Sequence, residues 1–342
     1  MKWLLNILLI PLSVLYSIAS IIRNRLYDEH ICKSHSVDVP TIGVGNLAVG
    51  GTGKTPMVEY LVRMLSQHYH VAVLSRGYGR QGNRFVMATE EASARTIGDE
   101  MMQMHTKFPK VPMAVCANRY KGIRQLLLLH PEIEVVVLDD AFQHRALNCN
   151  FHILLTPYDK LYIHDHMLPW GRLREPATEA RRAQTVIVTK CPESMKPIDC
   201  RVVSNKLKLH AGQQLFFSYI DYKPIEVTGK PLLLTGIAHS EYLQQHIEET
   251  YGQVEVMAYP DHHRFSKRDI KQIAKRAERF GTVLTTEKDW VRLQLMELPE
   301  TLKAKMKVVP IQMNLRDDAP EFERIIKAIL TEQLHKWKGH KK

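Results

Sequence analysis

The chain has 342 residues, of which 45% are hydrophobic and 24% are charged, so it can form one large or two modest domains and does not have the composition of a disordered protein. Its 47 Lys and Arg against 36 Asp and Glu give a net charge of +11, which favours an anionic partner such as a nucleotide, a nucleic acid or an acidic lipid. The five cysteines include no C-x-x-C pair, which argues against a zinc site or a disulfide framework and favours a reducing compartment.

The first segment of the chain is apolar. Residues 3–22 carry no charge, and a helix of that length measures about 30 Å, which matches the hydrocarbon thickness of a bilayer. We therefore interpret residues 1–25 as a retained membrane-anchoring helix, which either spans the bilayer with a kink at Pro11 or dips into one leaflet. A cleaved signal peptide is the alternative, but the nucleotide site predicted downstream requires the cytoplasm, which the remainder of the chain should face.

After this segment, short β-rich runs alternate with helical patterns. Strands are predicted at 40–44, 71–74, 84–87, 111–116, 134–138, 151–155 and 185–188, and helices at 56–67, 99–108 and 118–130. Continuous apolar strands that alternate with helices predict a parallel sheet covered on both faces. We therefore assign residues 26–215 to an α/β core domain of the P-loop NTPase type.

The pattern restarts after about residue 205. An extended connector is predicted at 215–222, strands at 231–234, 282–284 and 307–313, and helices at 241–249 and 267–280. Residues 216–315 therefore form a second, smaller α/β domain with connector strands. Residues 316–342 comprise a C-terminal helix that packs back on the core and a basic tail, which is either solvated or in contact with an anionic membrane surface.

A glycine-rich loop joins the first predicted strand of the core to its first helix. It contains Gly50, Gly51, Thr52 and Gly53, followed by Lys54 and Thr55. This order of strand, loop and helix is what a P-loop requires, because glycines let backbone N–H groups surround phosphate oxygens at the N-terminus of a helix. Lys54 should reach the β- and γ-phosphates, and the Thr55 hydroxyl should bind Mg²⁺. Ala48 stands where the usual motif has its first glycine.

Two carboxylates, Asp139 and Asp140, follow the apolar strand predicted at 134–138. This is the form of a Walker B segment, in which a carboxylate at the tip of a strand holds Mg²⁺. The carboxyl ends of parallel strands share one edge of the sheet, which places this tip near the P-loop. Thr189 and Lys190 begin the motif by which GTPases read guanine, but Pro192 replaces its aspartate, so ATP is favoured over GTP.

Eight short motifs occur in an order typical of one enzyme family. They lie at residues 45–56, 75–80, 98–100, 139–145, 168–176, 235–238, 261–263 and 286–289. On these motifs the chain resembles the tetraacyldisaccharide 4'-kinases of lipid A biosynthesis, from its apolar N-terminus to about residue 293. It departs from the family pattern at Met101, Ala141, Trp170, Arg172 and Ser240, none of which removes a carboxylate, histidine or lysine from the motifs.

The resemblance implies a kinase that uses ATP and Mg²⁺ to phosphorylate the 4'-hydroxyl of a tetraacylated glucosamine disaccharide 1-phosphate, at the cytoplasmic face of the inner membrane. It implies a catalytic pair, Asp99 and His262, either of which is the base, acting with Lys54. The residues assigned to substrate binding are Asn46, Arg76, Tyr78, Arg80, Glu100, Arg119, Gln143, His144 and Arg174. The expected partners are the acylated disaccharide phosphate and membrane lipids, with no nucleic acid and no obligate protein partner.

Two other functions stay open from the sequence. The first is a membrane-associated partition-type or maturation-type P-loop ATPase, which shares the glycine-rich loop but usually has a lysine where this chain has Val49. The second is a nucleotide-sensing membrane adaptor, which would bind ATP without phosphorylating an acceptor. The fate of the γ-phosphate of ATP distinguishes all three functions.

Overall fold

The computed structural model of the chain describes residues 2–238 and 240–340, with side chains described between residues 9 and 337. The helices are α1 (Lys2–Asp28), α2 (Lys54–Leu65), α3 (Ala94–Ile97), α4 (Asp99–Lys107), α5 (Arg119–Leu129), α6 (Pro197–Leu207), α7 (Glu241–Tyr251), α8 (Lys267–Ala277), α9 (Glu287–Leu293), α10 (Glu300–Lys303) and α11 (Ala319–His340). The strands are β1 (Thr41–Asn46), β2 (Val71–Ser75), β3 (Val86–Met87), β4 (Met113–Val115), β5 (Val135–Leu138), β6 (Phe151–Pro157), β7 (Thr185–Thr189), β8 (Gln214–Tyr222), β9 (Pro231–Thr235), β10 (Glu255–Ala258), β11 (Thr282–Thr286), β12 (Met306–Val309) and β13 (Ile311–Leu315).

A nine-stranded sheet forms the larger unit, in the order β13-β8-β7-β6-β1-β5-β2-β4-β3. The seven strands from β8 to β4 pair in parallel, and only the edge strands β13 and β3 run antiparallel to their neighbours. All residues of β1, β2, β5 and β7 are buried, as expected for apolar strands covered on both faces. The predicted α/β fold with a large parallel sheet is confirmed.

The C-terminal helix α11 packs on this larger sheet. Phe322, Ile326 and Leu330 are at most 1% exposed and belong to the same apolar cluster as Met57 and Leu61 of α2. Their burial removes apolar surface from water on the face of the sheet that carries the helix of the P-loop. The last two residues of the predicted basic tail, Lys341 and Lys342, lie outside the described residues.

The smaller unit is a parallel four-stranded sheet in the order β10-β9-β11-β12. Two predictions about its ends need correction. The predicted connector at 215–222 is β8, a full strand of the larger sheet, so the predicted boundary at 215/216 falls inside it. The single strand predicted at 307–313 is two strands separated by Pro310, of which β12 joins the smaller sheet and β13 the larger.

The first helix, α1, runs from Lys2 to Asp28 and includes Pro11. One of its faces packs on the protein, since Ser13, Ser20 and Asn24 are buried. Of the helices within residues 2–238 and 240–340, none is both long and apolar enough to cross a membrane, so the spanning arrangement that the sequence allowed is not found there.

Candidate active site

The glycine-rich loop between β1 and α2 is fixed by polar contacts. Asn46 Nδ2 donates hydrogen bonds to Thr52 Oγ1 (2.7 Å) and to the Ala48 carbonyl oxygen (2.6 Å). Thr189 Oγ1, at the end of β7, donates to the Thr52 carbonyl oxygen (2.8 Å). Gly53 has a φ of 89°, a left-handed conformation that favours glycine, and α2 begins at the next residue. The backbone N–H groups of the loop therefore lie at the N-terminus of a helix, as the P-loop interpretation predicts.

Lys54 and Arg174 converge on Asp140. Lys54 Nζ lies 3.6 Å from Asp140 Oδ1 and 3.4 Å from Asn46 Oδ1. Arg174 donates to both carboxylate oxygens of Asp140, at 2.9 and 3.1 Å, and also to the side-chain oxygen of Asn46. Burial acts to raise the pKa of Asp140, but Lys54 and Arg174 hold this pKa well below its usual range. Asp140 is therefore ionised at neutral pH beside the lysine of the P-loop.

Asp139 is in a different environment from its neighbour. Its Oδ2 accepts a hydrogen bond from Ser75 Oγ (2.9 Å), whereas its buried Oδ1 has no hydrogen-bond partner among the described residues. Burial, helped by the charges of Glu100 and Asp140, raises the pKa of Asp139 to about 6. A buried carboxylate oxygen without a partner is suited to receive a cation or a water molecule.

Arg119, which the sequence assigns to substrate binding, is buried and does not line the cleft between the two units. Its side chain is 1% exposed, and its guanidinium donates to the backbone oxygens of Cys116 (2.8 Å) and Asp139 (3.1 Å). Burial lowers the pKa of Arg119 to about 10, so the group stays charged at neutral pH. The arginine stabilises the turn after β5 and positions Asp139 through a hydrogen bond to its backbone oxygen.

Asp99 and His262 meet between the two sheets. Asp99 is the first residue of α4, and His262 lies between β10 and α8 with a φ of 57°. His262 Nδ1 is 3.0 Å from Asp99 Oδ2, and His262 Nε2 is 3.0 Å from Lys288 Nζ. Because an ammonium group only donates, Nε2 is the acceptor, and Nδ1 carries the hydrogen that is donated to Asp99. The structure thus brings together the two residues predicted as a pair.

Two cations to which the sequence analysis assigned no role contact this pair: Lys288, which lies in the motif at 286–289, and Arg292. Arg292 Nε donates to Asp99 Oδ2 (2.9 Å), and Lys288 Nζ also donates to Glu100 Oε1 (3.2 Å). Burial acts to raise the pKa of Asp99, but His262, Lys288 and Arg292 hold it well below its usual range. Lys288 and Arg292 are four residues apart on α9, a spacing that places two cations on one helix face and that could have revealed them.

A second group of ionisable residues joins the two units. Lys107 Nζ lies 2.7 Å from Glu59 Oε2 of α2 and 2.7 Å from Glu287 Oε2 of α9. Gln103 Nε2 donates to Glu59 Oε1 (2.9 Å). Burial, together with the charge of Glu59, raises the pKa of Glu287 to about 7, and burial also raises the pKa of Glu59. One lysine is therefore shared by two carboxylates that the protein interior disfavours in their charged form.

These elements enclose a cleft of about 860 Å³ between the two units. Its lining includes the predicted residues Gly50, Gly51, Thr52, Gly53, Lys54, Thr55, Tyr78, Glu100, Asp140, Arg174 and His262. Six other residues predicted to bind substrate do not line this cleft: Asn46, Arg76, Arg80, Arg119, Gln143 and His144. The far wall is formed by α7 and by the loop after β7, where Lys190 lies over the ring of Tyr242 at 5.6 Å.

Several of the residues outside the cleft hold loops in place. Arg80 donates to the Arg84 carbonyl oxygen (2.5 Å) within its own loop. Gln143 Nε2 donates to the Asn46 carbonyl oxygen (2.9 Å) and to Glu175 Oε2 (3.2 Å). Burial and the neighbouring arginines lower the pKa of His144 to about 4, so this imidazole is neutral at physiological pH. Their contacts support the walls of the site.

A phosphate-binding loop, two aspartates at the tip of β5 and a cleft shared by two α/β units define a P-loop nucleotide-binding enzyme. The family model described as tetraacyldisaccharide-1-P 4'-kinase matches residues 5–331. The chain therefore belongs to this family, and the resemblance drawn from the sequence motifs is confirmed.

Individual relatives agree with this assignment. The chain is 43% identical over 344 residues to the tetraacyldisaccharide 4'-kinase of Flavobacterium johnsoniae, covering 97% of this chain and 99% of that protein. It is 44% identical over 345 residues to the protein of the same name from Bacteroides thetaiotaomicron, covering 92% and 89%. The crystal structure of LpxK from Aquifex aeolicus in complex with ATP matches with a TM-score of 0.75 and 29% identity, covering 95% of this chain and 99% of that one.

Proposed function

We propose that the protein is an ATP-dependent lipid kinase that phosphorylates the 4'-hydroxyl of a tetraacylated glucosamine disaccharide 1-phosphate in lipid A biosynthesis. The observation that carries this proposal is one cleft lined both by the P-loop and by His262 of the Asp99–His262 pair. A P-loop binds the donor phosphates, and a paired histidine and carboxylate can accept the proton of an acceptor hydroxyl. Family membership over residues 5–331 supports the acceptor class.

On the donor side, the backbone N–H groups of residues 50–55 would surround the β-phosphate of ATP at the N-terminus of α2. Lys54 would offset the charge on the transferred phosphoryl group, turning from Asp140 toward the γ-phosphate. Pro192 stands where a guanine-reading carboxylate would be required, which favours ATP over GTP.

Mg²⁺ fits the same edge of the sheet. Asp139 Oδ1 is buried without a hydrogen-bond partner among the described residues, and Asp140 and the Thr55 hydroxyl complete a set of oxygen donors of the kind that Mg²⁺ prefers. A magnesium ion there would neutralise charge on the phosphates during transfer. Within the ranges 2–238 and 240–340, no group of three or more His, Cys, Asp or Glu is arranged to hold a metal, so the ion would depend on ATP and water for its remaining ligands.

The transfer forms a bond between the acceptor 4'-oxygen and the γ-phosphorus and breaks the bond from that phosphorus to ADP. The proton of the hydroxyl passes to the Asp99–His262 pair, whose atoms already lie 3.0 Å apart. Arg292 and Lys288 keep the pair oriented toward the cleft from α9. Catalysis then depends on residues from both units, because His262 and α9 belong to the smaller one.

Attachment to the membrane is part of the proposal. The outer face of α1 carries large apolar side chains that are 38–63% exposed, which are Ile10, Leu12, Val14, Leu15, Ile18, Ile21 and Ile22. Such a face is suited to lie in one leaflet, with the opposite face packed on the protein. We place the helix at the cytoplasmic face of the inner membrane, where ATP and an acylated substrate are both within reach.

The experiment that tests the proposal follows the γ-phosphate of labelled ATP. Purified protein is incubated with Mg²⁺ and the tetraacylated disaccharide 1-phosphate in uncharged detergent micelles. We expect label in the lipid fraction, and none when the acceptor already carries a 4'-phosphate. Label released only as inorganic phosphate would instead indicate an ATPase, and binding of ATP without release would indicate an adaptor.

A further inference from the structure

The packed face of α1 contacts the loops that form the site. Ser13 Oγ donates to the Met167 carbonyl oxygen (2.8 Å), and the Tyr16 hydroxyl donates to that of Arg174 (3.2 Å). Arg174 is the residue that clamps Asp140. The helix therefore adjoins the active site through hydrogen bonds to its backbone, which a simple tether to a membrane would not need.

Arg23 makes the shortest of these contacts. Its Nη2 donates to the Gln143 carbonyl oxygen (2.6 Å), and its Nη1 lies 3.5 Å from Glu175 Oε1. Glu175 is fully buried and also accepts hydrogen bonds from Gln143 Nε2 and from Arg182. A buried carboxylate requires such partners, because an ion removed from water is costly unless it is paired. Arg23 thus joins the helix to the buried centre of two loops.

Those two loops lead directly to the reacting groups. Gln143 Nε2 donates to the Asn46 carbonyl oxygen, and the Asn46 side chain contacts Lys54 and Arg174. Arg174 lies in the chain between Met167, whose carbonyl oxygen α1 contacts, and the buried Glu175. A shift of Arg23 would therefore move the backbone on which Gln143 and Arg174 are carried.

We propose that Arg23 is a positioning residue of the kinase site. Through Gln143 and Glu175, which lie behind the cleft, it lets the membrane-facing helix α1 orient the part of the cleft wall that carries Arg174. This inference rests on the proposed function, since it assumes that this wall holds the acylated acceptor. It assigns to α1 a role in catalysis as well as in attachment. The packing of α1 on these loops would then also fix the orientation of the wall that faces the acceptor.

The chain provides a matched control two residues further along the same helix. Arg25 is exposed, and its side chain makes no hydrogen bond or ion pair within the described part of the chain. Replacing either arginine with glutamine removes one positive charge from the last turns of α1. Only Arg23→Gln also removes the contacts with Gln143 and Glu175, so the two variants separate positioning from attraction to anionic lipid.

The kinetic test uses the full-length protein in uncharged micelles, where attraction to anionic lipid is absent. We expect Arg23→Gln to raise the KM for the acceptor about tenfold or more, the effect of losing a charge-assisted hydrogen bond, and to change the KM for ATP much less. Arg25→Gln should match the wild type. Arg23→Lys should recover part of the loss, because an ammonium can reach one of the two oxygens but cannot contact both in the fork geometry of arginine. Equal kinetics for the two glutamine variants would overturn the proposal.

A second readout separates this inference from the proposed function and from misfolding. Hydrogen exchange in residues 143–147 and 172–176 should accelerate in Arg23→Gln and not in Arg25→Gln, whether or not the wild type phosphorylates the acceptor. An unaltered exchange pattern would exclude positioning by Arg23 even if the wild type proved to be an active kinase. If the wild type failed to phosphorylate the acceptor while exchange changed as expected, only the proposed function would be lost.

Discussion

At the scale of single residues, Lys54 has the clearest chemical role. Its ammonium contacts Asp140 and Asn46 at the N-terminus of α2, and Asp140 keeps Arg174 as a partner if the lysine is removed. We expect Lys54→Ala to lower kcat by about 100-fold to 1000-fold, the size of effect seen when one charge-stabilising group is lost. The fold should persist, because no buried charge is left unpaired. Steady-state kinetics and circular dichroism check this, with exposed Lys307→Ala as the control, and near-normal kcat would contradict the role.

The Asp99–His262 pair makes a second prediction at this scale. Two residues that act as a unit lose their function together, so the variant carrying both Asp99→Asn and His262→Ala should be little slower than the worse single variant. His263→Ala is the control, because His263 bonds to Asp269 instead and does not line the cleft. A double-mutant cycle on kcat provides the measurement. If the two losses multiply, the residues act independently.

The sequence located the residues of the site better than it located their surroundings. Lys54 and Asp140 follow from local patterns, a glycine loop before a helix and an acidic pair after an apolar strand. Arg119 could not be separated from a substrate-binding arginine, because burial against the backbone oxygens of Cys116 and Asp139 is a property of tertiary packing. The helical spacing of Lys288 and Arg292 could have marked both as candidates, but the pairing of Arg292 with Asp99 in the other unit is again a property of tertiary packing.

At the scale of elements, α1 carries a prediction about attachment. Leu15 and Ile22 lie on its outer face, 63% and 54% exposed. Replacing both with glutamate should weaken binding to vesicles by more than about tenfold, because burying one such side chain in an apolar phase contributes about 1.5–3 kcal/mol. Vesicle flotation measures this. The control replaces Ile198 and Val202 of α6, which are similarly exposed, with glutamate, and equal losses in the two variants would contradict a specific role for α1.

Most elements were predictable because their patterns are local. The strands of the parallel sheet are continuous apolar runs, and their positions agree with the predictions to within a few residues. Where the prediction was wrong, the cause lies in topology. Residues 306–315 have one extended pattern in sequence, but Pro310 separates a strand of one sheet from a strand of the other. A period of two residues identifies a strand without telling which sheet it joins.

At the scale of the whole molecule, the shared lysine between the units predicts a dependence of stability on pH. In the folded protein the pKa of Glu287 is raised from 4.5 to about 7, so the native state binds more protons than the unfolded state in that interval. The contribution of Glu287 to the free energy of unfolding should therefore fall as pH rises from about 4.5 to 7 and level off above it, by at most about 1.4 kcal/mol per pH unit. Partly buried His144, whose pKa is lowered, contributes with the opposite sign, so the contribution of Glu287 is read from the difference between the wild type and a Glu287→Gln variant. Urea unfolding at a series of pH values measures this slope.

The variant Glu287→Gln removes the titrating group, so its pH profile should lack this contribution and differ in slope from that of the wild type between about pH 4.5 and 7. Lys107 keeps Glu59 as its partner in the variant, so the contact between the units is retained. Glu300→Gln is the control, because the side chain of Glu300 is 87% exposed. A variant profile with the same slope as the wild type would show that another group titrates in this range.

The path of the chain through the two sheets has a consequence for its synthesis. β13 pairs with β8, and Phe322 of α11 packs near Phe216 and Tyr60, yet the whole smaller unit lies between these segments in the chain. A ribosome releases the N-terminal segments first, so β8 leaves it with one edge unpaired and α2 with part of its apolar face uncovered. The nucleotide-binding unit is therefore translated first, but its sheet can finish folding only after β13 and α11 have been translated. Nascent chains that lack β13 and the final helix therefore expose an unpaired strand edge and apolar surface of α2.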